Sequence, residues 1–214
     1  MRFLCLHGAS TNGEIFEIQT GGLRQKLEKD GHRFTFMNGR LPSQVEEGLE
    51  GVVDGPFYSH YPRDPALPSA DVLEAFEHVQ RIIDTEGPFD AVIGFSQGAA
   101  LASAMLVHHT KTNPAAPPPF RVAVFLCGGR PWNSSGMAYV EPQPDTYLIN
   151  IPTAHVVGKL DPLYEQGLVL HALCEPSKAK FYDHGSKHMV PFDQKNTDEM
   201  VKIIEETIAK AIRG

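Results

Sequence analysis

Residues 90–99 read Asp-Ala-Val-Ile-Gly-Phe-Ser-Gln-Gly-Ala. The Gly94-x-Ser96-x-Gly98 spacing within them suits a serine carried on a tight strand-to-helix turn. The reason is steric. A side chain two positions either side of such a serine would run into the neighbouring strand and helix, so glycines flank it. Composition alone produces this pattern often enough that its context has to support it. Here the apolar run Ala91-Val92-Ile93 leads in, and the small-residue stretch Ala99-Ala100-Leu101-Ala102-Ser103-Ala104 leads out. The ordinary alternative is a helix-capping serine.

A serine hydroxyl attacks a carbonyl only when a histidine takes its proton and an acid orients that histidine. In elbow-type folds the chain order is Ser, then Asp or Glu, then His. After Ser96, residues 151–161 read as an apolar strand followed by Gly158-x-x-Asp161. That sets Asp161 in a loop at a strand's C-terminal end, where open α/β sheets bind ligands. The competing role for Asp161 is a helix cap ahead of Pro162-Leu163. Three histidines follow: His171 within a helical stretch, and His184 and His188 around Gly185-Ser186-Lys187. His188 is the expected base, because the glycine-containing loop lets it swing back to Ser96, and His184 follows too directly on a strand. Asp183 is the fallback acid. The four-residue spacing of His184 and His188 does not make a metal pair, since Gly185-Ser186 disfavours a helix and no third ligand has sensible spacing. No metal or other cofactor is expected.

Negative charge developing on the attacked carbonyl oxygen needs two backbone N–H donors. One is expected from Gln97, directly after Ser96. The other is expected from the turn His7-Gly8-Ala9-Ser10, from Ala9 with Ser10 as the neighbouring option. His7 reads as an orienting residue beneath that turn.

These residues must be positioned by an alternation of strands and helices. Apolar strand-like runs at Arg2–Leu6, Arg33–Met37, Asp90–Gly94, Arg121–Leu126, Thr153–Val157 and Lys180–Tyr182 are rich in Val, Ile, Phe and Leu. Helical patterns fall at about Gly22–Lys29, Asp71–Glu86, Gln97–His109, Leu163–Cys174 and Thr197–Arg213. This predicts an α/β fold, a mainly parallel sheet of about six strands with helices on both faces. Ser69 reads as the cap of the second helix, and Gly87-Pro88 as its stop. The last helix carries an apolar face at Met200, Ile203, Ile204, Thr207, Ile208 and Ala211. Residues 39–69, with the aromatics Phe57, Tyr58 and Tyr61, break the alternation and read as a lid-like or pocket-forming insertion in a single domain spanning 1–214. Residues 127–150, with Trp132, are a second irregular segment. Phe57, Tyr58, Tyr61, Trp132 and Met189 are the expected walls of an apolar substrate pocket over Ser96.

At 214 residues the chain can bury a sizeable core without disulfide or metal staples. A net charge of −7 with no Lys/Arg run argues against nucleic acid. The apolar runs are too short for a membrane span, and no signal peptide is evident. Three irregularly spaced cysteines form no disulfide framework, which points to a reducing, cytoplasmic setting.

Taken together, LCLHGASTNGEIF, GFSQGAALA, HVVGKLD and KHMVP resemble the fungal family of serine hydrolases, a branch of the α/β-hydrolases, over nearly the whole chain. The resemblance implies a compact α/β-hydrolase fold with no β-hairpin ahead of the first strand, and carries the family's triad onto Ser96, Asp161 and His188. The segment Asp54-Gly55-Pro56-Phe57-Tyr58 is similar to the family's aromatic loop. Within the family the chain is similar to fungal thioesterases that act in trans to release polyketides from synthases, as in lovastatin assembly. The implied substrate is an acyl thioester or ester, with an acyl-carrier domain of a polyketide synthase as the implied partner. The alternatives are a general cytosolic carboxylesterase or acyl-protein thioesterase, a lactone-forming acyltransferase, and a non-catalytic binding protein on the same scaffold.

Overall fold

The computed structural model describes residues 1–45, 51, 53–62 and 71–213. Six strands form one parallel sheet: β1 (Arg2–Leu6), β2 (Arg33–Met37), β5 (Ala91–Phe95), β6 (Val122–Leu126), β7 (Thr153–Val157) and β8 (Ala179–Asp183). Their order across the sheet is β2-β1-β5-β6-β7-β8, with every pair parallel. The chain builds outward from β1 to β2, then restarts on the other side at β5. The order therefore reverses between β1 and β5, and at such a point the loops beyond the strand C-termini splay apart and leave a crevice.

The central strands are mainly apolar, β5 and β6 at every position, because both faces of the sheet are covered. Along β1, Leu4 and Leu6 point into one core with Val92, Leu101 and Phe125. Phe3 and Cys5 point into the other, with Ile93, Val124, Val156 and Ile204. The first core is roofed by α3 (Asp71–Glu86), α4 (Gln97–Thr112) and α5 (Tyr164–Ala172), and the second by α1 (Gly13–Gln19), α2 (Gly21–Lys29) and α6 (Gln194–Arg213). Helix α4 is buried along Gln97–Val107, and its run of alanines lets it lie close to the sheet. The apolar face expected of the last helix is realised in α6, whose buried side chains include Met200, Ile203, Ile204, Thr207 and Ile208.

Two features depart from the sequence reading. Helix α1 was not expected. At seven residues it is too short to display an apolar period, yet Asn12 caps it by accepting the Ile15 N–H at 2.7 Å. The segment 39–69 is also not a plain loop. Its described part contains a two-stranded antiparallel ribbon, β3 (Leu41–Ser43) and β4 (Phe57–Ser59), separate from the main sheet. Residues 46–50, 52 and 63–70 lie outside the described residues, and with them the proposed cap Ser69. Among the described residues, no helix is long and apolar enough to cross a membrane.

The glycines around Ser96 are fixed by close approach. A Cβ on Gly94 would meet the Ala99 nitrogen and the Gly98 carbonyl carbon at 2.5 Å; one on Gly98 would strike the carbonyls of Leu6 and His7. Gly21, at the start of α2, has nothing within 4 Å. The expected outcome is opposite in sign at the two places. Gly98→Ala should cost about 1–3 kcal/mol or more, because only backbone is available to move. Gly21→Ala should be neutral or stabilising by up to about 1 kcal/mol. Urea unfolding of the two variants checks this.

Candidate functional site

Ser96 stands between β5 and α4 with φ 53° and ψ −115°, a left-handed conformation that a non-glycine residue adopts only under constraint. Its N–H donates to the Leu126 carbonyl at 2.9 Å, and its own carbonyl accepts from Ala100 at 3.1 Å. These bonds hold the strained turn from both sides. The side chain borders a cavity of about 950 Å³, which His188 also lines.

Asp161 and His188 meet at 2.7 Å, carboxylate Oδ2 to ring Nδ1. Two loops make this possible. The β7–α5 loop carries Asp161, whose N–H donates to Gly158 at 2.9 Å. Its other oxygen, Oδ1, accepts the Leu163 N–H at 2.7 Å. The capping role and the histidine-orienting role are therefore shared between the two oxygens of one carboxylate. The loop after β8 carries His188 and packs so tightly on Gly158 that a Cβ there would hit the Ser186 and Lys187 carbonyls. Asp183 ties the loops together by accepting the N–H groups of Lys159 at 3.0 Å and Gly185 at 2.8 Å, so its carboxylate serves backbone rather than a histidine ring. Burial pushes the Asp161 carboxyl upward, but the bonds from His188 and Leu163 and the contact with Cys127 outweigh it and hold it below its ordinary value. The His188 ring lies against Phe95, with 4.9 Å between centroids.

His184 does not line this cavity. Its Nδ1 accepts the Ser186 N–H at 3.2 Å, and its Nε2 lies 3.6 Å from the Cys127 sulfur. His171 packs edge-on to His155 at 4.8 Å. Cys127 escaped the sequence reading, since an isolated cysteine after a strand carries no signal. It sits at φ 46° at the end of β6, with its thiol directed to the Met189 carbonyl at 3.4 Å. Burial, reinforced by the Asp161 charge, pushes that thiol far up, so it stays protonated. Cys127, Asp161 and His188 hold their ligating atoms within 4.8 Å of one another, the one such group among the described residues. The Asp161–His188 bond already commits two members of that group to each other.

The turn after β1 reaches the serine closely. A Cβ on Gly8 would lie 3.5 Å from the Ser96 Cβ. Ala9 borders the cavity, and its N–H donates to no described residue. Gln97 is the first residue of α4, so its N–H is one that the helix leaves without an internal partner. Ser10 is a correction. Its N–H is spent on the Ser59 hydroxyl at 3.1 Å and its own hydroxyl on Ser43 at 2.8 Å, because φ 59° turns it toward the β3–β4 ribbon.

Beneath the turn, His7 and His60 stack with 4.6 Å between ring centroids. Both are buried, and burial depresses both: His7 to about 4, and His60 well below its ordinary value. The Gln97 side chain grips the ribbon's exit, accepting the His60 N–H and donating to the Tyr61 carbonyl, both at 2.8 Å.

Of the expected acyl walls, Tyr61, Trp132 and Met189 line the cavity. Phe57 and Tyr58 do not, and this corrects the expectation. Tyr58 pairs through its N–H with the Thr11 carbonyl at 2.6 Å and faces a separate crevice with Met37, His78 and Ile82. Phe57 folds back onto Gly55. The ribbon pairing sets these directions, which a run of aromatic letters does not reveal. Residues missed by the sequence reading complete the cavity, notably Ile18, Arg130, Tyr139 and Phe192. Tyr139 stacks on Trp132 at 3.9 Å, and Arg130 lies over Tyr139 at 4.8 Å.

The comparisons with known proteins agree with this architecture. A family model described as serine hydrolase (FSH1) matches residues 1–200. The esterase FPY3 of Fusarium mangiferae is 33% identical over the whole of both chains. The hydrolase phiM of a fungal strain is 29% identical, covering 100% of this chain and 98% of its own. Among solved structures, Arabidopsis thaliana SOBER1 superposes with a TM-score of 0.62 at 22% identity, over 97% of this chain and 99% of that one. A Bacillus cereus carboxylesterase superposes at 0.58 and 14% identity, over 96% and 87%. These structural likenesses speak for an α/β-hydrolase fold. With a family match running from the first strand into the last helix, the chain belongs to the FSH1 family of serine hydrolases.

Proposed function

We propose that Ser96, His188 and Asp161 form the catalytic triad of a thioesterase that releases an acyl chain, a polyketide or similar product, from a carrier domain in fungal secondary metabolism. The observation that carries the reading is the convergence of Ser96 and His188 on one cavity while Asp161 holds the far side of the His188 ring. With Nδ1 bound to the acid, Nε2 is the nitrogen left to act as base. It takes the proton from the Ser96 hydroxyl as the oxygen attacks the acyl carbonyl carbon. The oxyanion accepts hydrogen bonds from the N–H groups of Gln97 and Ala9, each such donor worth about 3–4 kcal/mol. Collapse breaks the C–S or C–O bond, and His188 returns the proton to the leaving thiol or alcohol. Water then attacks the acyl-enzyme by the same path, or an intramolecular hydroxyl does so and gives a lactone.

The cavity supports the substrate class. At about 950 Å³ it takes a sizeable acyl chain, and its walls are mainly apolar and aromatic. Phe192 is 82% exposed and Ile18 71%, both among its lining residues, so an apolar rim meets solvent where a carrier-borne chain would enter. Three free cysteines fit the reducing conditions of the cytoplasm, and we read the chain as one catalytic domain.

Ser96→Ala should abolish turnover and acyl-enzyme formation seen by mass spectrometry, with unfolding unchanged; activity above about a thousandth of wild type means another nucleophile. His188→Ala should be comparably severe and His184→Ala mild, and Asp161→Asn should cost roughly 10⁴-fold in kcat. A reversed order for the two histidines rejects the assignment of the base.

Substrate choice is tested by kcat/KM on an acyl-carrier-protein thioester, the matching small-molecule thioester and an aryl ester. The proposal expects the carrier-borne substrate to lead; equal or better aryl ester turnover points to a general carboxylesterase. Tyr61→Ala and Trp132→Ala should change chain-length preference by about 1–3 kcal/mol in kcat/KM. Phe57→Ala should leave that preference flat. A shift in Phe57→Ala alone overturns the assignment of the walls.

A further inference from the structure

The Gly8 carbonyl oxygen accepts two side-chain bonds from inside the fold. The Thr11 hydroxyl donates at 2.8 Å and His7 Nδ1 lies at 2.6 Å. The direction of the second bond is fixed by the far edge of the ring. The Gly39 N–H donates to His7 Nε2 at 2.8 Å, so Nε2 carries no proton. A neutral imidazole then has its proton on Nδ1, which donates to Gly8, the nearer acceptor at 2.6 Å, with the Thr11 hydroxyl oxygen at 3.2 Å. Burial, which depresses His7 to about 4, keeps the ring in that neutral form. His60 secures the backbone of the same residue, its Nε2 lying 3.0 Å from the His7 carbonyl.

The Gly8–Ala9 peptide is trans, so its C=O and N–H point in opposite directions. Two donors that pull the carbonyl toward the buried His7 and Thr11 hydroxyl turn the Ala9 N–H the other way. Gly8, Ala9 and Thr11 border the cavity, and the His7 ring, to which the shorter of the two bonds runs, does not. The next N–H along, that of Ser10, is consumed by Ser59. We infer that His7 and Thr11 are positioning residues that lock this one peptide so that the Ala9 N–H is held ready for the oxyanion. This rests on the acyl-transfer reading above. Its physical value is preorganisation: a peptide already pinned does not have to rotate as charge develops.

The Thr11 hydroxyl is the discriminating group, because valine has nearly its shape and lacks the donor. In Thr11→Val the peptide keeps one of its two bonds. We expect kcat to fall about 10-fold, a fraction of what removing a whole oxyanion donor costs. KM should stay within about twofold, because the ground-state carbonyl makes little use of the donor. Affinity for an alkyl trifluoromethyl ketone, which forms a tetrahedral oxyanion on the serine, should fall by the same factor as kcat. Thr11→Ser, which retains the donor, should restore both. Wild-type kcat and inhibitor affinity in Thr11→Val overturn the inference. Equal losses in Thr11→Val and Thr11→Ser also overturn it, since they report lost packing. His7→Phe adds a second arm where it folds, with a larger kcat loss expected. Failure of the underlying reading is seen separately: wild-type enzyme would then bind the ketone without a covalent bond to Ser96.

Discussion

The start of α4 lies so close to the end of β1 that no side chain fits between them. Gly98 touches the carbonyls of Leu6 and His7, and Gly94 touches the backbone of Gly98 and Ala99. This backbone-on-backbone contact sets the distance between the serine turn and the turn after β1. The arrangement around Ser96 follows from it. Ser96 is forced to positive φ, Gly8 comes to rest against Ser96, and two unspent N–H groups border one cavity. The sheet order places the contact at the β1–β5 reversal, where the loops diverge and a crevice is free to form.

Around that contact the protein controls charge by burial. His7 and His60 are kept neutral because desolvation penalises a charged ring, and as neutral rings each can be fixed in one tautomer. Asp161 is the opposite case. It is buried yet held ionised, since several donors converge on its two oxygens. Cys127 joins the strand beneath to the loop that carries His188, and its thiol stays protonated beside the carboxylate. A buried charge with its donors provided and a set of neutral rings without charge together form a site that needs little rearrangement.

The cavity beyond the serine is assembled from elements distant in sequence: α1, the ribbon exit at Tyr61, the segment around Trp132 and Tyr139, and the residues after His188. None of these belongs to the contact just described. The fold can thus vary the walls of this cavity without touching the proposed triad, as expected where loops carry specificity on a rigid sheet.

The parallel α/β sheet and most of its strands were legible in the sequence, because strands buried on both faces are mainly apolar, and short apolar runs between amphipathic helices have few other solutions. Gly94, Ser96 and Gly98 were legible for a local reason: the clash that excludes side chains lies within a few residues. Asp161 and His188 were legible as candidates by their place after strands, but only the packing of two loops through Gly158 and Asp183 brings them to 2.7 Å. The roles of Phe57 and Tyr58 could not be read in this way, since ribbon pairing decides which way a side chain points. Helix α1 fell below the length at which a period shows. The status of Ser10, Cys127 and the His7–His60 pair was decided by the tertiary structure alone. Hydrogen-bond partners 49 and 53 positions away determine what Ser10 and His7 have left to offer, and no local pattern encodes a partner at that distance.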